Sequence, residues 1–211
     1  MQTTQKKIGL FFGSFNPIHT GHLIIGNYMV EFTDLDEVWF VVSPHNPLKD
    51  KKTLLSDVHR VTLVRLATED HTRLKVCDIE MKLPQPSYTI HTLTYLAEDY
   101  PDYHFVLIGG MDILHTFHKW KNWEEILGQY ELYIYPRPGY EPGKWAEHPH
   151  IKFVPAPLIE ISASFIRQGI QNEKNMDFFL PTKVYEYMRN MHFYEKKKRQ
   201  PKQDTESENI I

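Results

Sequence analysis

A doubly wound α/β fold, with a mainly parallel sheet, helices on both faces and a small helical part toward the C-terminus, is predicted by three features of the sequence. Apolar runs of strand length alternate with segments of helical spacing from the start of the chain onward. The early runs are continuously apolar, as in strands buried on both faces. The segments between runs are long enough to cross back over a sheet, so neighbouring strands are expected to be parallel.

The elements follow in order. Ile8-Gly9-Leu10-Phe11-Phe12 is the first buried strand. Thr20 through Thr33 is a helix, with Thr20 suited to its N-cap and Leu23, Ile24, Asn27, Tyr28 and Val30 along its length. Val38 to Val42 is a second strand; after the loop Ser43 to Leu55, Ser56 caps a helix carrying Val58, Val61, Val64 and Leu66, and Leu74 to Ile79 returns as strand. Beyond Pro84-Gln85-Pro86, Thr89 to Tyr100 places Ile90, Leu93, Leu96 and Ala97 on one helical face and leads to the strand Tyr103 to Ile108, closed by Gly109-Gly110. Helical segments at Ile113 to Phe117 and Trp123 to Leu127 precede a fifth strand, Leu132 to Tyr135. The Pro- and Gly-rich stretch Pro136 to Pro149 is a loop, and Ile151 to Val154 a last short strand. Ser164 to Ile170 and Pro181 to Met191 are helices, Pro181 being favourable in a first turn. No internal repeat interrupts this alternation, so the expected sheet is Rossmann-like.

The 211-residue chain is expected to hold one main domain over residues 1–195 and a disordered charged tail over 196–211, where Lys196, Lys197, Lys198 and Arg199 run on without apolar periodicity. A net charge of −3 argues against a general nucleic-acid binder, since such binding rests on many phosphate contacts. The single cysteine, Cys77, excludes an intrachain disulfide and reads as a small buried hydrophobe beside Leu74, Val76 and Ile79. No apolar run approaches the roughly 20 residues that span a bilayer, and Met1 to Lys7 is polar. No membrane partner and a cytoplasmic location are therefore expected.

In an open α/β sheet ligands collect at the carboxyl ends of the strands, and the first strand delivers Gly13-Ser14-Phe15-Asn16-Pro17-Ile18-His19-Thr20-Gly21-His22 to that edge. Gly13 leaves room for backbone to approach a ligand, and the helix starting at residues 20 to 22 offers free amides and a dipole to phosphate. His19 and His22, three apart, can face one side of that helix start. Two such histidines also suit packing or a solvated surface. Zinc ligation suits them less, because a helix N-terminus favours anions over a dication. Lys49, Lys51 and Lys52 concentrate positive charge in the loop after the second strand; a lysine loop bounded by prolines is more often a solvated one, which leaves Lys51 and Lys52 outside the candidate site.

The segment Gly13 to His22 resembles the signature loop of nucleotidyltransferases that carry a His-x-Gly-His or Thr-x-Gly-His motif. Ile161-Ser162-Ala163-Ser164-Phe165-Ile166-Arg167 is similar to that family's second signature, Ile-Ser-x-Thr-x-Ile-Arg. It departs at Ala163, where many members have Ser, and at Ser164, where most have Thr; Ser164 keeps the hydroxyl. Within the family the resemblance is to bacterial nicotinate-nucleotide adenylyltransferases and spans roughly residues 6 to 194. Pro86-Ser87-Tyr88-Thr89-Ile90 is similar to the segment that meets the nicotinate ring. Gly110-Met111-Asp112 with Phe117 and Trp120 resembles the Gly-x-Asp element with its stacking Trp, and Arg137-Pro138-Gly139 an Arg-Pro-Gly turn. Phosphopantetheine adenylyltransferases share the two signatures but are expected to lack the Trp and Tyr constellation.

The resemblance implies transfer of AMP from ATP to nicotinate mononucleotide, with these two as binding partners and Mg²⁺ carried on the ATP phosphates. It assigns His19, His22 and Arg167 to catalysis. ATP would be met by Gly13, Ser14, Phe15, His45, Lys49, Gly110, Asp112, Ser162 and Ser164, and the mononucleotide by Ser87, Tyr88, Thr89, Trp120 and Arg137. No protein-held metal is implied. Trp123 is left to packing. A nucleotide-binding regulator that kept the fold and lost catalysis is the other class of reading.

Overall fold

The computed structural model describes residues 5–44 and 54–196. Its strands are β1 (Lys6–Gly13), β2 (Glu37–Val42), β3 (Leu74–Cys77), β4 (Tyr103–Gly110), β5 (Glu131–Tyr135) and β6 (Ile151–Phe153); its helices are α1 (Thr20–Phe32), α2 (Asp57–Thr68), α3 (Thr89–Asp99), α4 (Trp123–Gln129), α5 (Ala163–Gln171) and α6 (Thr182–Asn190). The strands form one sheet in the order β3-β2-β1-β4-β5-β6, with every neighbouring pair parallel. This is the doubly wound α/β arrangement expected from the continuous apolar runs. The expected tail from residue 197, and the expected site residues His45 and Lys49, lie outside the described residues.

The pleat explains why the runs are apolar throughout. Ile8, Leu10, Phe105 and Leu107 face one core, shared with Leu93 and Leu96 of α3 and Ile126 of α4. Phe11, Phe40, Val42, Val106 and Ile108 face the other, shared with Ile25 and Met29 of α1 and Val61 and Val64 of α2. The C-terminal helices are not a separate lobe: Ile166, Val184 and Met188 belong to this second core, and Tyr187 bonds through its hydroxyl to His59 Nδ1 at 3.0 Å.

Between β1 and β4 the strand order reverses, β1 leading outward to β2 and β4 to β5. The carboxyl ends of these two strands diverge into loops on opposite sides and leave a crevice. β1 ends at Gly13 and β4 at Gly110, so both expected glycine elements open into it.

Several boundaries differ from the sequence expectation, each for a local reason. The third strand stops at Cys77, and Ile79–Met81 form a 3₁₀ turn that buries Glu80. The expected helix at 113–117 is two 3₁₀ turns, Met111–His115 and Phe117–Lys119. Such a tight turn tucks Leu114 and Phe117 into the core over a short span. Pro181 is the N-cap of α6 instead of a member of its first turn, and β6 ends one residue early, at Phe153. The N-cap of α1 is His19 and not Thr20.

Candidate active site

A cavity of about 410 Å³ opens at the carboxyl edge over the crevice. Of the residues singled out in the sequence, Gly13, Ser14, Phe15, His19, His22, Gly110, Asp112, Trp120, Arg137 and Ser162 line this single cavity. Ala163, the position that departs from the second signature, lines it too. Tyr135, Ile113, Ile159 and Ile161 supply apolar wall that the sequence reading did not select, although Ile161 lay inside the second signature.

The two histidines sit at the mouth of α1. His19 is 4% exposed and stacks on His22 with ring centroids 3.7 Å apart. His22 is wedged edge-on against Phe15 and Phe11. Its Nδ1 accepts a hydrogen bond from the His19 backbone N–H at 3.2 Å, so in the neutral ring the proton is on Nε2. Burial first, and the Arg137 guanidinium second, lowers the pKa of His19 to about 4; burial, then His19 and Arg137, holds that of His22 well below its ordinary value. Both rings are thus neutral near pH 7, which is what allows them to stack. His19 Nδ1 is buried and has no hydrogen-bond partner among the described residues. The His22 amide already bonds to the His19 carbonyl at 2.9 Å, which narrows the amide cradle expected over residues 20 to 22.

Gly13 lines the cavity and is also needed for packing. A Cβ there would lie 2.8 Å from the Phe15 ring. Phe15 adopts φ = 43° and folds its ring back under the loop, where it is 2% exposed. Such a backbone costs about 1–3 kcal/mol and persists only where packing enforces it. The ring therefore belongs to the core, and what Phe15 offers the cavity is backbone.

Arg167 and Ser164 stand behind this loop and do not line the cavity. The guanidinium donates through Nη1 to the Asn16 carbonyl at 2.8 Å and through Nη2 to Ser164 Oγ at 3.1 Å. Ser162 Oγ caps α5 by accepting from the Phe165 amide at 3.1 Å. The second signature is thus tied to the first, 151 positions away in sequence. Asn16, which the sequence reading quoted but did not select, is the knot. Its Oδ1 accepts from the Leu55 amide at 3.1 Å and from the Tyr194 hydroxyl, joining the loop after β1 to the start of the α2 segment and to the end of the described chain. Asn16→Ala would leave both donors without that acceptor in a buried place, and is expected to cost about 2 kcal/mol, read as a lower urea midpoint at unchanged slope.

On the opposite wall, Gly110 brings β4 against the Asp112 and Arg137 side chains. A Cβ there would sit 2.4 Å from Asp112 Oδ1 and 2.9 Å from Arg137 Cγ. Arg137 Nε and Asp112 Oδ1 are 3.4 Å apart, and the guanidinium lies over the Tyr135 ring. Trp120 leans on Phe117 with centroids 5.2 Å apart and lines the cavity. Ser87, Tyr88 and Thr89 lead into α3, Tyr88 as its N-cap, and are not in the lining; Lys121, next in sequence to the lining residue Trp120, holds its Nζ 4.5 Å from the Tyr88 ring centroid.

A cytidylyltransferase-like family model matches residues 10–169, a stretch that begins in β1 and ends in α5. A probable nicotinate-nucleotide adenylyltransferase of Flavobacterium johnsoniae is 55% identical over 90% of this chain and 100% of its own. The chain belongs to the nicotinate-nucleotide adenylyltransferase family. A further member of this adenylyltransferase family, from Bacteroides fragilis, is 46% identical over 86% of this chain and 90% of its own. Among solved structures, the Plasmodium falciparum nicotinic acid mononucleotide adenylyltransferase complexed with NaAD superposes with a TM-score of 0.74 at 18% identity, over 90% of this chain and 97% of that one. A putative nicotinate-nucleotide adenylyltransferase from Vibrio parahaemolyticus does so at 0.68 and 21%, over 90% of this chain and 95% of that one. At these identities the superpositions establish the shared fold.

Proposed function

We propose that the cavity aligns ATP and nicotinate mononucleotide for transfer of AMP, giving nicotinate adenine dinucleotide, the precursor of NAD, and pyrophosphate. The carrying observation is that both signatures, the Gly110–Asp112 element, Trp120 and Arg137 meet at one switch-point cavity. A phosphate oxygen of the mononucleotide attacks the α-phosphorus of ATP, a P–O bond forms, and the bond to the leaving pyrophosphate breaks in line. No protein nucleophile is required, so the residues act by positioning and by stabilising charge.

In this reading the neutral His22 donates Nε2–H to the ATP phosphates, with His19 beside it. Ser162 meets the β and γ groups from the lining, Arg167 and Ser164 position the loop after β1 from behind it, and Gly13, Ser14 and the Phe15 backbone form the floor. His45 and Lys49 contribute phosphate contacts from the loop after β2. Asp112, beside Gly110, accepts from a ribose hydroxyl, and Arg137 meets phosphate. Trp120 stacks on the pyridine ring, whose carboxylate meets the backbone of Ser87, Tyr88 and Thr89. Among the described residues Asp112 is the only carboxylate in the lining, and it faces Arg137, so the donor set suits Mg²⁺ held by the phosphate oxygens of ATP. Bound there, the ion neutralises charge on the polyphosphate. A cytoplasmic site of action is part of the same proposal.

The test is incubation with ATP, Mg²⁺ and nicotinate mononucleotide while following pyrophosphate; nicotinamide mononucleotide and phosphopantetheine as acceptors separate the related activities. No pyrophosphate with any acceptor would favour the nucleotide-binding regulator. Trp120→Ala is expected to weaken mononucleotide binding by about 1–3 kcal/mol, the scale of base–aromatic stacking, and so to raise its KM by about 5- to 150-fold, with little change in the KM for ATP. An unaltered mononucleotide KM would remove Trp120 from the ring site.

A further inference from the structure

Arg60, on α2, is among the largest fully buried side chains in the protein, with 0% exposure. Its guanidinium is spent on backbone. Nη1 donates to the carbonyls of Ser14 and Ser43, each at 2.6 Å, and Nε donates to the carbonyl of Leu55 at 3.2 Å. Nη2 pairs with Asp57, whose side chain is 46% exposed.

The three carbonyls share one property: each belongs to a loop at the carboxyl edge. Ser14 follows β1 and lines the cavity, Ser43 follows β2, and Leu55 leads into α2. The Ser43 amide also donates to the Gly13 carbonyl at 2.9 Å, so the two loops are joined directly and through Arg60. A carbonyl oxygen engaged by a buried guanidinium is turned away from an anion in the cavity, and the same guanidinium puts positive charge behind the loop. The Asn16 carbonyl of this loop is likewise engaged by a guanidinium, that of the half-buried Arg167. Burying an ion is costly, and apolar residues of similar volume commonly replace buried ions without loss of stability, so stability alone does not call for a charge here. A planar fork with five donors can span three carbonyls and a carboxylate at once, which an ammonium cannot.

We propose that Arg60 is a positioning residue for the triphosphate: it fixes the loop after β1 against the chain on either side of residues 45–53, so that this loop presents donors and not acceptors to the anion. The inference rests on the reading of the cavity as the ATP site.

The experiment compares the full chain with Arg60→Lys and Arg60→Gln in three measurements: titration calorimetry with ATP and Mg²⁺, initial rates with each substrate varied in turn, and thermal melting. Folded variants are expected to bind ATP at least about tenfold more weakly and to raise the KM for ATP to match, with Gln worse than Lys and the KM for the mononucleotide within about twofold of the parent. ATP affinity within about twofold of the parent in a folded variant, or a common rise in both KM values, overturns the proposal. So does failure of both variants to fold at any temperature tried, which makes Arg60 a determinant of stability. A parent that binds ATP but releases no pyrophosphate would refute the proposed reaction, while the calorimetric comparison still decides the role of Arg60.

Discussion

His22→Ala is expected to lower kcat for adenylyl transfer by roughly 10²- to 10³-fold, the usual consequence of removing one preorganised donor to a transition-state oxygen. The size follows from the state of the ring. Nδ1 is occupied by the His19 amide, so the neutral imidazole has one N–H to offer, on Nε2, and Phe11 and Phe15 hold the ring at a fixed angle. A donor that needs no reorientation contributes most when charge develops on the phosphate, so the loss is expected in kcat more than in either KM. Alanine also removes the acceptor for the His19 amide at the start of α1, and His22→Asn, which can restore that acceptor, separates the two effects. The expected result is a deep loss of turnover in both variants with melting recovered in the Asn one. Near-parental turnover in either would remove His22 from the chemistry.

The second large effect is on stability against pH. His19 has an ordinary pKa of 6.5 and is lowered to about 4 in the folded protein. Below pH 6.5 the unfolded chain takes up a proton at this residue while the folded chain does not, so unfolding is favoured increasingly as pH falls. The loss is complete near pH 4, where both states are protonated. For a shift of this size in a buried ring the loss is on the order of 3 kcal/mol. His22, displaced in the same direction, adds to it. Denaturant midpoints measured between pH 7 and pH 4 should therefore fall steeply for the parent and less for His19→Asn. Equal slopes for the two proteins would show that His19 is not the group responsible. Activity, by contrast, is expected to vary little between pH 6.5 and 8 on account of these rings, because both are already neutral there.

Much of this molecule could be read along the chain. Buried parallel strands demand continuous apolar runs, and those runs are visible in the sequence: they mark β1, β2 and β4 to within a few residues, and the doubly wound arrangement follows from the crossovers. Elements whose stability is tertiary were read less well. The two 3₁₀ turns between β4 and α4 exist because Leu114 and Phe117 must reach the core across a short span, a demand no local propensity encodes. The same holds for the end of β3, where Glu80 is buried against Thr92 of α3 at 2.7 Å.

By itself the sequence determined the fold class and ten of the residues that line the switch-point cavity, because burial on both faces and helix starts leave periodic, local traces. The tertiary structure alone decided how those residues are held: that Phe15 belongs under the loop and not over it, that Arg167 and Arg60 grip carbonyls of the loop after β1, and that Asn16 ties three distant segments together. A buried polar side chain is stable only with its partners satisfied, and partners 39 or 151 positions away in sequence become neighbours only when the strands pair.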